Sequence, residues 1–461
     1  MRILYTDLAI TSRCRRIVMH QDTYRLLSAA VLCTIFGTAC ARDVATAPFD
    51  PDGGNLTIGC GVLIDGVADE PRRNQTVMIV DGRISAVNSG NTDVDLDLSK
   101  YTCLPGLIDT HTHIAEPVGT ADLSIFYRIS DEELREASVV NARLTLAAGF
   151  TTVRNVGSYV GWSGRDLRDR INRGEVIGPR MQTAGYYLTI PAGGGDLVIP
   201  GFSESEIPAR VRMGVARGAE EFRRKAEDAV AGGADLLKVI ASGAVLAFGG
   251  VPGSPEMTPE EIRAVVEVAH AAGIKVTAHA HGAQSIKDAI RAGADSIEHA
   301  SLADDEAITL AVEKNVAFSM DVYNGSYIAT VGREQGWPDE FIRKNDETTE
   351  AQRQVFTKAY KAGVPITYGT DSGVYPHGDN AKQFVIMVQR GMTPMDAIRA
   401  ATSVAALFIG WDEDVGSITV GRFGDLIAVR GDPLSDISVL QQVDIVVKGG
   451  LVFKQDMDKI R

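Results

Sequence analysis

Apolar and polar positions divide the chain into two β-patterned ends around an alternating middle. Between 55 and 88, short apolar runs are separated by turn residues: Leu56-Thr57-Ile58, Gly61 to Gly66, Thr76 to Val80, then Arg83 to Val87. Asp81-Gly82 sits between the last two runs, and a hairpin turn of two residues needs that kind of pair, since both must tolerate positive φ. The pattern returns at Gly416 to Ile418, Asp425 to Val429 and Asp444 to Gly450. In the middle, strands are expected at Leu107-Ile108, Thr151 to Gly157, Arg180 to Tyr187, Asp235 to Ala241, Ile274 to His279, Ser296 to His299, Val316 to Met320 and Ile366 to Thr370. Asp131 to Ala148 opens with acidic residues and reads as a helix. Thr258-Pro259-Glu260-Glu261 forms a capping box with proline at the first helical position, opening a helix to about Ala272. Tyr323 to Asn345 breaks the alternation and reads as an inserted loop or lid.

Alternating strands and helices favour a parallel sheet. The expected fold class is α/β: a (β/α)8 TIM-type barrel over 105–414, with a small β-sandwich built from both termini, 55–104 plus 415–461. Ahead of these lies an uncharged, mostly apolar segment, Leu26 to Phe36, preceded by Arg25 and followed by Gly37-Thr38-Ala39-Cys40-Ala41. It is too short to span a bilayer as a helix and matches the apolar region of a secretory signal. Ala39-Cys40-Ala41 suits a cleavage site, while Cys40 after Gly-Thr-Ala is similar to an imperfect lipobox. Arg13, Arg15 and Arg16 lie far ahead, before Met19, and a start at Met19 would leave a more ordinary signal. Residues 1–41 are therefore expected to direct export, to a periplasm or to a membrane as a lipoprotein anchored at Cys40; a buried core helix is the alternative.

Composition narrows the function. The 461 residues, 45% hydrophobic with 47 glycines, fit a soluble globular protein rich in tight turns. A net charge of −14 without a basic stripe argues against a nucleic-acid partner. The five cysteines, Cys14, Cys33, Cys40, Cys60 and Cys103, show no CxxC spacing, and a disulfide framework is not expected.

Candidate chemistry gathers at strand ends. Leu104-Pro105-Gly106-Leu107-Ile108-Asp109-Thr110-His111-Thr112-His113 closes an apolar run with two histidines one residue apart. Alternate strand residues face the same side, so both imidazoles would converge, which suits a divalent transition metal; a polar strand terminus is the other reading. Lys238 stands inside the apolar run Asp235 to Ala241. A buried amine tends to be neutral or paired, and a neutral one can add carbon dioxide to become a carbamate. Thr277-Ala278-His279-Ala280-His281 ends a further strand, Ile297-Glu298-His299-Ala300 another, and Gly369-Thr370-Asp371-Ser372-Gly373 puts an aspartate after the last. Of eight histidines, His111, His113, His279 and His299 all close expected strands, whereas His20 belongs to the signal and His270 to a helix.

From Asn55 onward, these motifs together resemble the metal-dependent amidohydrolase superfamily, most of all its imidazolonepropionase-related branch with Xaa-Pro and Xaa-Arg dipeptidases. The resemblance implies a binuclear centre holding two divalent metal ions, usually zinc. His111 and His113 would hold one ion with Asp371, His279 and His299 the other, and carboxylated Lys238 would bridge them. The metals would lower the pKa of a bridging water, with Asp371 taking its proton and passing it to the leaving amine. One departure stands out: relatives carry a histidine in a Gly-Gly-His-Gly-Asp loop, where this chain has Pro191-Ala192-Gly193-Gly194-Gly195-Asp196, with Gly194 at that place. His281, Tyr323 and His377 are candidates to replace it at the substrate, or are local structural hydrogen-bonders. The expected function is hydrolysis of an amide bond in a dipeptide or N-acyl amino acid. Alternatives are hydrolysis of a lactone, carbamate, phosphoester or cyclic amide (or deamination) at the same centre, or non-catalytic binding. The expected partner is a small-molecule substrate, and homo-oligomerisation stays open.

Overall fold

The computed structural model describes residues 53–90, 93–119 and 121–455; the expected signal over 1–41, with Cys40, lies outside the described residues. The first four strands are β1 (Leu56–Leu63), β2 (Arg72–Val80), β3 (Arg83–Ser89) and β4 (Leu96–Pro105). The middle supplies β5 (Leu107–Thr112), β6 (Phe150–Asn155), β7 (Arg180–Thr183), β8 (Leu236–Ile240), β9 (Lys275–Gly282), β10 (Ser296–Leu302), β11 (Ala317–Ser319) and β12 (Ile366–Thr367). The chain closes with β13 (Leu426–Val429), β14 (Ile445–Lys448) and β15 (Leu451–Gln455).

Both ends of the chain meet in one sheet of seven strands, ordered β15-β14-β13-β4-β1-β2-β3. The expected union of both termini appears as this one hydrogen-bonded sheet, and a two-sheet sandwich is not shown among the described residues. β4 pairs with β1 on one side and β13 on the other, joining the two terminal sets edge to edge within a single sheet. The Asp81-Gly82 hairpin links β2 to β3 as expected, with φ of 49° and 76° at its two residues. No strand forms over Gly416 to Ile418; Ile418 instead donates its N–H to the Asp65 carbonyl at 2.9 Å. The cysteine expectation is corrected. Cys60 of β1 and Cys103 of β4 form a disulfide, because parallel pairing of these strands joins residues 43 apart in sequence.

The middle strands are all parallel, in a three-stranded sheet β5-β6-β7 and a five-stranded sheet β12-β11-β10-β9-β8. Single bridges, Thr112 with Ser372 and Leu188 with Val239, connect the two sheets at both ends. β5, β6, β7 and β8 are buried at every residue, the signature of parallel strands covered on both faces. The covering helices follow their caps: Asp131–Ala147 starts at a Ser130–Glu133 capping box and Pro259–Ala271 at the Thr258–Glu261 box.

The segment 323–345 is helical where a loop was expected. A short helix Asn324–Tyr327 runs into a π-helical turn Ile328–Gly332, and Asp339–Ala362 forms a helix of 24 residues. Its buried face alternates apolar Phe341, Val355 and Phe356 with Lys344, Asn345, Thr348 and Gln352. Polar side chains on the inward stripe mask the helical period in the sequence. They are satisfied in place: Lys344, for example, donates to the Ala247 carbonyl at 2.7 Å and pairs with Glu340 at 2.7 Å.

Candidate metal centre

Strand periodicity aims the candidate ligands. His279 and His281 share one face of β9, while Ala278 and Ala280, alternating with them, pack into the core. His111 and His113 follow the same rule at the end of β5, and His299 and Lys238 come from β10 and β8. Among the described residues, three groups bring their ligand atoms within 4.8 Å of one another: His279–His281–His299, His111–His113–Asp371 and His299–Asp321–Asp371. Asp371 stands between the first two histidines, its Oδ1 3.3 Å from His111 Nε2 and 3.1 Å from His113 Nε2.

Glycines let these loops approach. A Cβ at Gly369 would lie 1.9 Å from Ser319 Oγ and 2.9 Å from His111 Cβ; one at Gly373 would lie 2.7 Å from His113 Cβ. The Gly-x-Asp-x-Gly pattern therefore follows from packing Asp371 against both histidines. Asp371 and His299 adopt left-handed backbone, with φ of 56° and 69°. Such conformations cost L-residues on the order of 1 kcal/mol, and the surrounding bonds must hold them. Asp109 does much of this: it accepts from Thr370 N at 3.1 Å, Thr370 Oγ1 at 2.5 Å and Asn380 Nδ2 at 2.8 Å.

Four histidines are oriented by contacts at Nδ1. His111 Nδ1 lies 2.7 Å from Glu298 Oε2, His299 Nδ1 2.9 Å from Asp321, His281 Nδ1 2.8 Å from Ser301 Oγ, and His113 Nδ1 3.0 Å from the Gly157 carbonyl. Outer partners of this type fix the ring and leave Nε2 for the centre. Glu298 is in turn held by Arg154 Nη2 at 2.8 Å. Burial opposes its charge, but Arg154 and His111 keep its carboxyl well below the usual range. Asp371 is likewise held low by His111 and His113 against its burial.

The donor set fits a divalent metal on two further observations. Lys238 Nζ and His279 Nε2 are buried without any hydrogen-bond partner. Buried polar atoms are rarely left so, and both are free to take a ligand from the cavity. Burial also pushes the Lys238 ammonium down to about 8 and the His279 imidazolium well below its usual range. Neutral imidazole is the metal-binding form, and a neutral amine is the form that adds carbon dioxide.

Residues 102–452 match the amidohydrolase family. The chain belongs to that family. It is 32% identical to ochratoxinase from Aspergillus niger over 434 residues, covering 86% of each chain. Its structure is similar to a Xaa-Pro dipeptidase with bound methionine in the active site, at a TM-score of 0.81 and 36% identity, over 87% of this chain and 100% of the other. A prolidase complexed with N-methylphosphonate-L-proline gives a TM-score of 0.81 at 27% identity, again over 87% and 100%. This amidohydrolase is accordingly an enzyme acting on carbon–nitrogen bonds.

All six residues expected as ligands in this amidohydrolase line one cavity, and His281 lines it with them. Tyr323 and His377 are not among its lining residues. The Tyr323 ring packs edge-on against Tyr375, with centroids 5.1 Å apart. His377 is buried behind the centre, 3.2 Å from Ser372 Oγ and 3.3 Å from Thr145 Oγ1. Gly194 does line the cavity, but a Cβ there would lie 3.0 Å from both Ala244 Cβ and Ala244 N. The close approach of Ala244 leaves little room for a histidine at that position.

Sequence reasoning passed over Glu116, Tyr159, Tyr187, Asp321 and Asn324, which also line the cavity. Asp321 and Asn324 follow β11 and carried no strand-end histidine to mark them. Asn324 Nδ2 donates to Asp371 Oδ2 at 2.8 Å. Tyr187 Oη lies 3.0 Å from His113 Nδ1, and burial raises its phenol well above the ordinary value. Apolar Leu123, Phe126, Leu246, Ile328, Trp337 and Val374 line the cavity as well.

Proposed function

We propose that this chain is an exported, metal-dependent hydrolase that cleaves the amide bond of a dipeptide or N-acyl amino acid. Its eight parallel strands would close into a (β/α)8 barrel through the two bridges described above. The observation that carries the reading is the buried, unpartnered Lys238 Nζ among five histidines and Asp371 at one cavity. His111, His113 and Asp371 would hold one divalent ion and His279 with His299 the other, probed first as zinc, with carboxylated Lys238 between them. When bound, such ions supply a hydroxide near neutral pH and polarise the scissile carbonyl.

The chain's own residues do the rest. Asp371 accepts the proton of the attacking water on a carboxylate oxygen and hands it to the departing amine. Asn324 anchors the second oxygen of that carboxylate at 2.8 Å. If His113 donates through Nδ1, the 3.0 Å contacts to Gly157 O and Tyr187 Oη both use oxygen as acceptor, leaving the Tyr187 proton free to donate elsewhere. Burial holds His281 down at about 3, so its ring stays neutral beside the centre. The apolar lining residues exclude water and receive a hydrophobic side chain of the substrate.

The similarity to a Xaa-Pro dipeptidase and a prolidase favours amides over lactones and phosphotriesters. A panel of Xaa-Pro, Xaa-Arg and N-acyl amino acids, assayed beside lactones and phosphotriesters on zinc-loaded protein, tests the choice. Amide turnover supports the proposal; turnover of the esters alone, with no amide cleaved, would sink it. Export is tested separately, by locating the mature N-terminus and any lipid at Cys40 in cell fractions.

A further inference from the structure

One cavity carboxylate has no part in the chemistry above. Glu116 lies three residues beyond His113, is only 4% exposed, and lines the cavity. Its backbone is locked: Glu116 N donates to the His113 carbonyl at 3.2 Å, and the Glu116 carbonyl accepts from Asn141 Nδ2 at 2.8 Å. Oε1 accepts the Tyr159 N–H, and the second oxygen is left for the cavity. Among the described residues no arginine lines the cavity, and its lysine is Lys238, the residue assigned to the metals. A buried carboxylate oxygen that faces a cavity without a donor is costly, and an ammonium of a bound ligand would offset that cost by donating to it.

Resting on the amide-hydrolase reading, we propose that Glu116 receives the free α-ammonium of the substrate, so that the enzyme selects dipeptides over N-acyl amino acids. A dipeptide places its ammonium one carbon from the scissile carbonyl, and Glu116 follows closely on His113, a ligand at that carbonyl's expected seat. An N-acyl amino acid brings a carboxylate and no cation into a cavity without a guanidinium to meet it. A zwitterionic dipeptide brings an ammonium that can donate to the open Glu116 oxygen. Charge-assisted hydrogen bonds discriminate strongly when one partner is removed, because the other stays buried and unpaired.

The test compares the best dipeptide of the panel with its N-acetyl derivative, which keeps the scissile bond and loses only the ammonium. Wild-type holoenzyme should favour the free dipeptide by at least about 10-fold in kcat/KM. Glu116→Gln should lose about 10–100-fold on the dipeptide, chiefly through KM, and less than about 3-fold on the N-acetyl derivative. Glu116→Asp, which restores the charge, should recover part of the dipeptide activity. Equal losses on both substrates would show a structural role and overturn the proposal, as would an unchanged ratio. Wild-type cleavage of N-acyl amino acids without any dipeptide cleavage would overturn it while leaving the amide reading intact. Absence of all amide cleavage would overturn both.

Discussion

The cavity has two walls built by different means. One is polar and projects from strands β5, β8, β9 and β10 and the loop after β12, where His111, His113, Lys238, His279, His299 and Asp371 are locked by partners such as Glu298 and Asp321. The other comes from connecting segments and the inserted helices and mixes apolar Leu123, Phe126, Leu246, Ile328 and Trp337 with polar Asn345, Thr348 and Gln352. Sites on regular strands hold geometry well, whereas walls on loops and short helices tolerate change. On the function proposed above, the first wall would carry the chemistry and the second the choice of substrate.

Lys238→Ala attacks the polar wall most directly. It should remove several kcal/mol of rate acceleration, or about 10³-fold or more in kcat, together with bound metal. Short carboxylic acids such as propionate should restore part of both; full activity in the variant would refute the bridging role. The same amine gives a pH dependence with a definite sign. With its ammonium lowered to about 8, about half of the side chain is the neutral, carbon-dioxide-reactive amine at pH 8, against under about 1% for an ordinary lysine. Bicarbonate-dependent loading of metal-free protein should therefore rise from pH 7 to pH 9, and a flat profile would remove this account of Lys238.

Glu298→Gln is expected to come next. The 2.7 Å contact to His111 loses its charge, and Arg154 is left buried without a full counter-ion. Metal affinity should fall about 10–100-fold by titration, with a lower thermal midpoint. Trp337→Ala, on the second wall, should act differently. It should reduce kcat/KM about 10-fold for substrates with large apolar side chains and leave small ones within about 3-fold. A uniform loss across substrates would erase the distinction between the walls. Smallest for activity is reduction of the Cys60–Cys103 disulfide, which ties two strands of the terminal sheet. It should cost about 2–4 kcal/mol in chemical denaturation and leave kcat/KM of the folded enzyme unchanged.

Legibility of the site follows the same division. Period 2 on a strand is local, so Thr277-Ala278-His279-Ala280-His281 displays its shared face in five consecutive letters. The lysine within Leu236–Ile240 is likewise out of place at a glance, since an ammonium amid apolar residues demands a reason. The hairpin at Asp81-Gly82 and the capping box at Thr258 are local too. Glu298 was read only as a neighbour of His299, because its partner Arg154 lies 144 positions away. The inserted helix hid behind Lys344, Asn345 and Gln352, polar residues whose partners are supplied elsewhere.

By itself, then, the amino-acid sequence determined the α/β alternation, the histidines and aspartate at strand ends, the lysine inside a strand and the family, since each rests on spacing within a few residues or on motifs of fixed composition. Tertiary structure decided that the terminal strands make one sheet, that Cys60 meets Cys103, and that Tyr323 and His377 stand apart from the cavity while Glu116 and Tyr187 line it. Those outcomes depend on which strand edges pair and which loops converge, and such contacts are set by the packing of the whole chain.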